Sequence, residues 1–359
     1  MDAATELQRL IDRIKPPDAS FQEAARRRLN SLTKPRGSLG ALEDLAVQIA
    51  GIRGEVIPRL KNKTIIVMAA DHGVAARGVS LYPQEVTCQM ALNFAAGGAA
   101  INVLSHMAGA RVVIVDMGVK GGLPSYEGIL CKMIDFGTDD MSAGPAMSRD
   151  QALDSLLAGA DVLENELAAG LDIVGTGDMG IGNTTSASAI TAAMTGAGVR
   201  EVTGRGTGIG DEQLERKIAI IEQILAVNSP DPADALGVLE KVGGFEIGGL
   251  AGAMIAGAAN RIPVVIDGFI SGAAALIAAG ICPQVKNYLI AAHLSAERGH
   301  AACLKHLGLR PLLELDLRLG EGTGAALGIF LAECSVNVMR DMATFEGAGV
   351  SDIPGGGIS

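Results

Sequence analysis

The chain is predicted to fold as an α/β protein, with a parallel sheet covered by helices on both faces. Three observations point there. Short apolar runs without alternation recur along the chain, helix-length segments separate them, and most end in an acid or histidine beside glycine. Strands apolar on both faces belong to sheets buried on both sides. Such sheets bind ligands beyond the carboxyl ends of their strands.

Composition agrees. With 359 residues, 48% hydrophobic and 19% charged, the chain can bury a large core and is not disordered. Glycine is frequent (48 residues), tryptophan is absent and aromatics total 3%, so the core must be aliphatic and closely packed. A net charge of −11 without a basic run argues against nucleic acid as a partner. A small anion remains compatible, because helix N-termini bind anions without net positive charge. Cys88, Cys131, Cys282, Cys303 and Cys334 are scattered and form no CxxC pair, so neither zinc nor a disulfide framework is expected and a reducing cytoplasm fits. Asp2, Glu6, Arg9 and Asp12 make the N-terminus unlike a signal peptide. Gly, Ser and Pro interrupt the uncharged stretch 268–285, which reads as a core helix and not a membrane span.

Taken in order, the first sixty residues read as helical. Ser20-Phe21-Gln22-Glu23 fits a capping box for a helix that stops before Lys34-Pro35-Arg36-Gly37, and Ser38 is placed to cap the next. Apolar runs follow at 63–70, ending in Asp71-His72-Gly73, and at 111–115, ending in Asp116-Met117-Gly118. The run 171–174 leads into Gly175-Thr176-Gly177-Asp178, 262–266 into Asp267, 288–292 into His293, and the alternating 313–317 toward Glu321. Helices are expected at 149–169, opened by the Ser148/Gln151 capping box, and near 212–227, 246–260, 295–307 and 323–341. Residues 58–321 are expected to form a large α/β domain, with 1–57 and 322–359 joining as a small helical one. The tail from Gly347 reads as mobile.

Glu321 sits between Gly320 and Gly322 in a strand-to-helix turn. It is open to two readings, a proton acceptor or an acid that stabilises a helix N-terminus. Gly175-Thr176-Gly177-Asp178-Met179-Gly180 matches GxGxxG, but Asp178 would stand where a pyrophosphate should lie, and Glu201 precedes the next apolar residues without ending a strand. The stretch reads instead as a phosphate or ribose cradle extended by Asn183-Thr184-Thr185, or as a structural turn. Gly204-Arg205-Gly206-Thr207-Gly208 is a second flexible loop able to form an anion nest. Lys217 reads as a phosphate ligand or a solvated helix face; Arg318 reads as a phosphate ligand or a partner of Asp316. Asp139-Asp140 lacks the apolar strand of a phosphoribosyl-pyrophosphate motif. Asp71, His72 and His293 have no metal-ligand spacing, so no metal is expected.

Collected, these loops resemble the nicotinate-nucleotide–dimethylbenzimidazole phosphoribosyltransferase family of cobalamin biosynthesis. Its carriers are Lys34-Pro35-Arg36-Gly37-Ser38-Leu39-Gly40, Ala70-Asp71-His72-Gly73-Val74, Pro83-Gln84-Glu85-Val86-Thr87, the run from Met179 to Thr185, Lys241-Val242-Gly243-Gly244-Phe245, Asp267-Gly268-Phe269, the run from His293 to Glu297, and the run from Leu319 to Ala325. The resemblance implies a Rossmann-like large domain, a homodimer, no cofactor, and transfer of phosphoribose from nicotinate mononucleotide to a benzimidazole with inversion at C1′. It implies that Glu321 is the general base. It places Gly180, Gly206, Arg318 and Gly320 near the nucleotide phosphate, beside the Asn183 and Thr184 of the cradle reading, and Asp178, Lys217 and Asp267 at further active-site positions. Ser80, Leu81, Tyr82, Pro83 and Met90 fall on the wall of the base pocket. Asp178 stands where better-known members carry glutamate, Tyr82 replaces a serine and Met90 a glutamine. These departures bear on the acceptor base more than on the reaction. Two other classes stand beside this reading: a nicotinamide-cofactor oxidoreductase resting on GxGxxG alone, and a non-catalytic base- or nucleotide-binding protein of the same pathway.

Overall fold

The computed structural model describes residues 2–123 and 127–352. The glycine-rich end of the tail, 353–359, lies outside them, while its first two residues, Gly347 and Ala348, belong to a short helix.

Three helices come first: α1 (Ala3–Arg13), α2 (Ala19–Asn30) and α3 (Ala41–Arg53). Strand β1 (Lys63–Ala70) is followed by α4 (Glu85–Ala95), α5 (Ala100–Ala108), β2 (Arg111–Gly118), β3 (Ile129–Cys131) and α6 (Arg149–Ala168). Then come β4 (Ile173–Met179), α7 (Asn183–Thr195), α8 (Val199–Val202), α9 (Asp211–Asn228), α10 (Ala235–Val242) and α11 (Phe245–Ala259). The chain closes with β5 (Val264–Ile266), α12 (Phe269–Ile281), β6 (Leu289–Ala291), β7 (His293–Leu294), α13 (Arg298–Leu307), β8 (Leu313–Glu314), α14 (Thr323–Asp341) and α15 (Phe345–Ala348).

The main sheet has six parallel strands in the order β3-β2-β1-β4-β5-β6. Every residue of β1 is buried, and its side chains divide between two cores. Ile65 and Val67 meet α3, α5 and α14 on one face, while Ile66 and Met68 meet α6, α11 and α12 on the other. That division is the physical reason the runs read as continuous and not alternating. Glycine and alanine serve the same end. A Cβ on Gly159 of α6 would stand 1.8 Å from the Gly249 carbonyl oxygen of α11, so these two helices touch backbone to backbone.

The flanking helices split between the faces. Helix α1 packs on α6 and α11, whereas α2 and α3 meet the last turns of α14 around Leu29, Ala46 and Met339.

Four sequence expectations are corrected. The main sheet takes its sixth strand from Ile129–Cys131, and the 313–317 run gives only β8, paired with β7 outside that sheet. The stretch Gly175 to Met179 is strand and not a cradle loop, because side chains there would collide with α14 and the turn before it. Asp18, not Ser20, caps α2: its carboxylate takes the Ser20 N–H at 2.9 Å and the Ser20 hydroxyl at 2.6 Å, a charged acceptor prevailing over a neutral one. Helix α3 starts after Gly40, and Glu43 reaches back to the Leu39 N–H at 3.0 Å while pairing with buried Lys34 at 2.7 Å. The expected helices at 149–169, 212–227, 246–260 and 323–341 match α6, α9, α11 and α14 to within a residue or so.

Candidate active site

Three consecutive residues, Gly320, Glu321 and Gly322, adopt left-handed backbone with φ of 81°, 64° and 88°. Glycine does so freely, but a residue with a Cβ gives up roughly 1 kcal/mol or more there. Strain of this kind persists only where the surroundings enforce it, and it clusters at functional sites. Here Asp267, directly after β5, enforces it. Its two carboxylate oxygens accept the Gly322 N–H at 3.2 Å and the Ala325 N–H at 3.0 Å, capping α14 from another strand. Thr323 closes the turn through its hydroxyl on the Gly320 carbonyl at 2.8 Å. The helix-capping task is thus performed by Asp267, which leaves the Glu321 side chain free of it.

Glu321 is only 6% exposed. Its carboxylate accepts the backbone N–H of Ile101, in the first turn of α5, and Oε2 has no hydrogen-bond partner among the described residues. Burial pushes its pKa up to about 7; the Ile101 bond opposes the shift and the charge of Asp267 adds to it. A carboxyl with that pKa is half ionised near neutrality, as a general base should be.

Asp178 lies against the same turn, 3.3 Å from where a Gly320 Cβ would sit. It is held well above the usual carboxylate range by burial and by the charges of Asp267, Glu246 and Glu321, against one hydrogen bond from Asn183 Nδ2 at 3.0 Å. Below it, His72 Nε2 and Glu246 Oε1 are 2.7 Å apart with both side chains fully buried. Burial lowers the His72 pKa, but the charge and hydrogen bond of Glu246 outweigh it and the net shift is upward. His293 stands 3.6 Å from Asp267.

The other end of the site is basic. Lys217 is 1% exposed, so it is no solvated helix face; its ammonium donates to Thr184 Oγ1 at 2.8 Å. Burial lowers its pKa to about 8, with Glu297 opposing. A Cβ on Gly206 would lie 2.8 Å from Thr184 Oγ1 and 3.3 Å from Lys217 Nζ, so the 204–208 loop lies directly over this pair. Asn183 and Thr184 open α7, joining the acidic end of the site to the basic one. Arg318 is exposed at the rim. Ser80 to Pro83 form a strap bonded to the 204–208 loop, and Met90 is half-buried on α4.

Glu246, Glu297 and Thr207 join this constellation without any sequence expectation singling them out. Glu246 follows the Gly243-Gly244-Phe245 motif by one residue, which was the available signal. By contrast, Asp71 and Asp116 spend their carboxylates on local structure. Asp71 accepts from Thr87 Oγ1 at 2.8 Å and Lys120 N–H at 2.9 Å, and Asp116 from the Gly118 and Val119 N–H groups at 3.0 and 2.9 Å.

Comparison with known proteins bears on this arrangement. A family model described as "Phosphoribosyltransferase" matches residues 14–350. The nicotinate-nucleotide–dimethylbenzimidazole phosphoribosyltransferase of Desulforudis audaxviator is 59% identical over 345 residues, covering 96% of this chain and 98% of the relative. The enzyme of that name from Roseiflexus sp. (strain RS-1) is also 59% identical over 345 residues, with the same coverage of each chain. The crystal structure of CobT from Thermus thermophilus superposes with a TM-score of 0.90 at 45% identity, covering 93% of this chain and 100% of that one. Sequence and fold concur: the chain belongs to the nicotinate-nucleotide–dimethylbenzimidazole phosphoribosyltransferase family.

Proposed function

We propose that the chain transfers 5-phosphoribose from nicotinate mononucleotide to 5,6-dimethylbenzimidazole or a related lower-ligand base. The products are nicotinate and α-ribazole 5′-phosphate, for the nucleotide loop of cobalamin. The observation that carries this reading is Glu321: a buried, strained acid with one unpaired oxygen and a pKa of about 7.

The donor's ring nitrogen is cationic and becomes neutral as the glycosidic bond breaks. An acidic cleft of Asp178, Asp267, Glu246 and Glu321 favours that cation and the oxocarbenium-like centre that replaces it. The acceptor attacks C1′ through one ring nitrogen, and its other N–H grows acidic. Glu321 removes that proton, so no cationic product forms. Attack opposite the leaving group inverts C1′ from β to α. Asp178, pressed against the Gly320 turn, lies beside the acceptor. Asp267 acts through the backbone it holds. Lys217, Thr184 and Gly206 make the phosphate subsite, with Asn183, Gly180, Gly320 and Arg318 as further nucleotide contacts. The chain works as a homodimer in the cytoplasm.

Incubating the protein with nicotinate mononucleotide and several competing bases, read by mass of the nucleotide product, tests the reaction and ranks the acceptors. Absence of any ribazole phosphate would remove this function.

Lys217 supplies a pH signature. An ammonium is half charged at its pKa, so phosphate attraction is complete well below pH 8 and fades through that value and above it. The donor KM is expected to rise as pH climbs from 8 to 9.5, and Lys217→Gln should show a higher KM that no longer depends on pH there. A flat wild-type KM across that range would take Lys217 out of the phosphate subsite.

A further inference from the structure

Two segments far apart in sequence meet at one side chain. Thr207 Oγ1 accepts the Leu81 N–H at 3.1 Å and lies 3.2 Å from Ser80 Oγ. A hydroxyl carries one donor and two acceptor positions, so it satisfies both contacts at once. The strap is otherwise tied by its own turn, with the Tyr82 N–H on Ser80 Oγ at 3.3 Å, and by Gln84 Nε2 on the His72 carbonyl at 3.1 Å. Between these ties Leu81 and Tyr82 stand 51% and 55% exposed. Two large apolar side chains are therefore held at the rim of the site by very few bonds.

The other side of Thr207 leads into the basic end. Gly206, its immediate neighbour, lies over Lys217 and Thr184 at the distances given above. Arg205 fixes the far side of the same loop through the Ile209 carbonyl at 2.8 Å and through Asp211. An anion seated on Lys217 and Thr184 would touch the loop one residue from Thr207. That residue is also the contact holding Leu81 and Tyr82 in place.

We propose that Thr207 is a positioning residue that couples the two substrate subsites: a donor phosphate bound at Lys217 and Thr184 orders the 80–83 strap, through Thr207, into the wall that receives the acceptor base. The inference rests on the phosphoribosyl-transfer reading. Coupling of this kind is reciprocal, so the phosphate strengthens acceptor binding as much as the acceptor strengthens that of the phosphate. Its size is that of about one neutral hydrogen bond, roughly fivefold in affinity.

The test compares Thr207→Val and Thr207→Ser with the wild-type enzyme. Each is assayed with nicotinate mononucleotide and with the riboside lacking the phosphate. In the wild type the acceptor KM is expected to be about fivefold lower with the phosphorylated donor. Thr207→Val keeps the branched shape but loses the hydroxyl, so its acceptor KM should rise to the riboside value with both donors. The loss falls on KM and not on kcat; the donor KM holds at low acceptor and rises by the same factor only at saturating acceptor, and the melting temperature holds. Thr207→Ser should restore the difference. An acceptor KM in Thr207→Val that still depends on the donor phosphate overturns the coupling, as does a lower melting temperature with a donor KM already raised at low acceptor. Absence of product from the wild type would overturn the transfer reading itself, which separates the two failures.

Discussion

Glu321→Gln is expected to cut turnover by about 10²–10⁴, the ordinary worth of a positioned proton acceptor, while the donor KM stays close to wild type. Glutamine matches glutamate in length and shape, and its side-chain carbonyl can still accept the Ile101 N–H. The turn is held by Asp267 from outside, so the substitution does not release it. What is lost is the ability to take a proton. In the wild type, kcat/KM should fall as pH drops below about 7, because the base is then protonated. The variant should lack that limb.

Stability should move the other way. A carboxyl whose folded pKa is raised opposes folding once it must ionise, and the opposition grows from pH 4.5 to about pH 7. Glutamine has no charge to bury. Its melting temperature relative to wild type should therefore improve as pH is raised through that window. Higher stability with lost activity is the signature of a group kept for function at a cost to the fold. Near-wild-type turnover in Glu321→Gln would take the base from this position.

The sequence displayed this residue's position but not its mechanics. The β1 run was legible because burial on both faces leaves no polar alternation to confuse the reading, and β2 because its second half is buried in the same way. Helix α6 was legible because it carries its own Ser148/Gln151 capping box, and α9 because Asp211 and Glu212 open its first turn. Strand β4 was obscured because Gly175 and Gly177 read as loop chemistry, whereas the glycines are there to admit α14. Strand β3, three residues long on the sheet edge, carries no pattern long enough to see. Within the site, the acids at the strand ends could be found one by one. That Asp267 takes the capping role and frees Glu321 is a contact across 55 residues, and no local spacing encodes it.

Gly177→Ala tests that contact through the backbone, with an expected loss in kcat of about 10². A Cβ added to Gly177 would stand 2.6 Å from the Glu321 carbonyl oxygen, 2.7 Å from its carbon and 2.8 Å from the Gly322 nitrogen. These are backbone atoms, and no rotamer change can remove them. Strand β4 cannot retreat either, since Gly177 sits in register with Val67 of β1 and Gly175 with Val265 of β5. The turn must move, and Glu321 moves with it. A displacement near 1 Å of a catalytic group is enough for a loss of that order. Gly175→Ala is the control two residues away on the same face of the strand. The three atoms nearest its Cβ would be side-chain carbons, Ala325 Cβ, Ile329 Cδ1 and Ile65 Cγ1, each at 3.1 Å. Those can give by a few tenths of an ångström, so the expected result is a lower melting temperature with turnover largely kept. Overpacking of either kind costs about 1–3 kcal/mol, so the two variants should lose comparable stability and differ in kcat. Equal turnover in the two at matched stability would mean that the close approach of β4 does not set the position of the base.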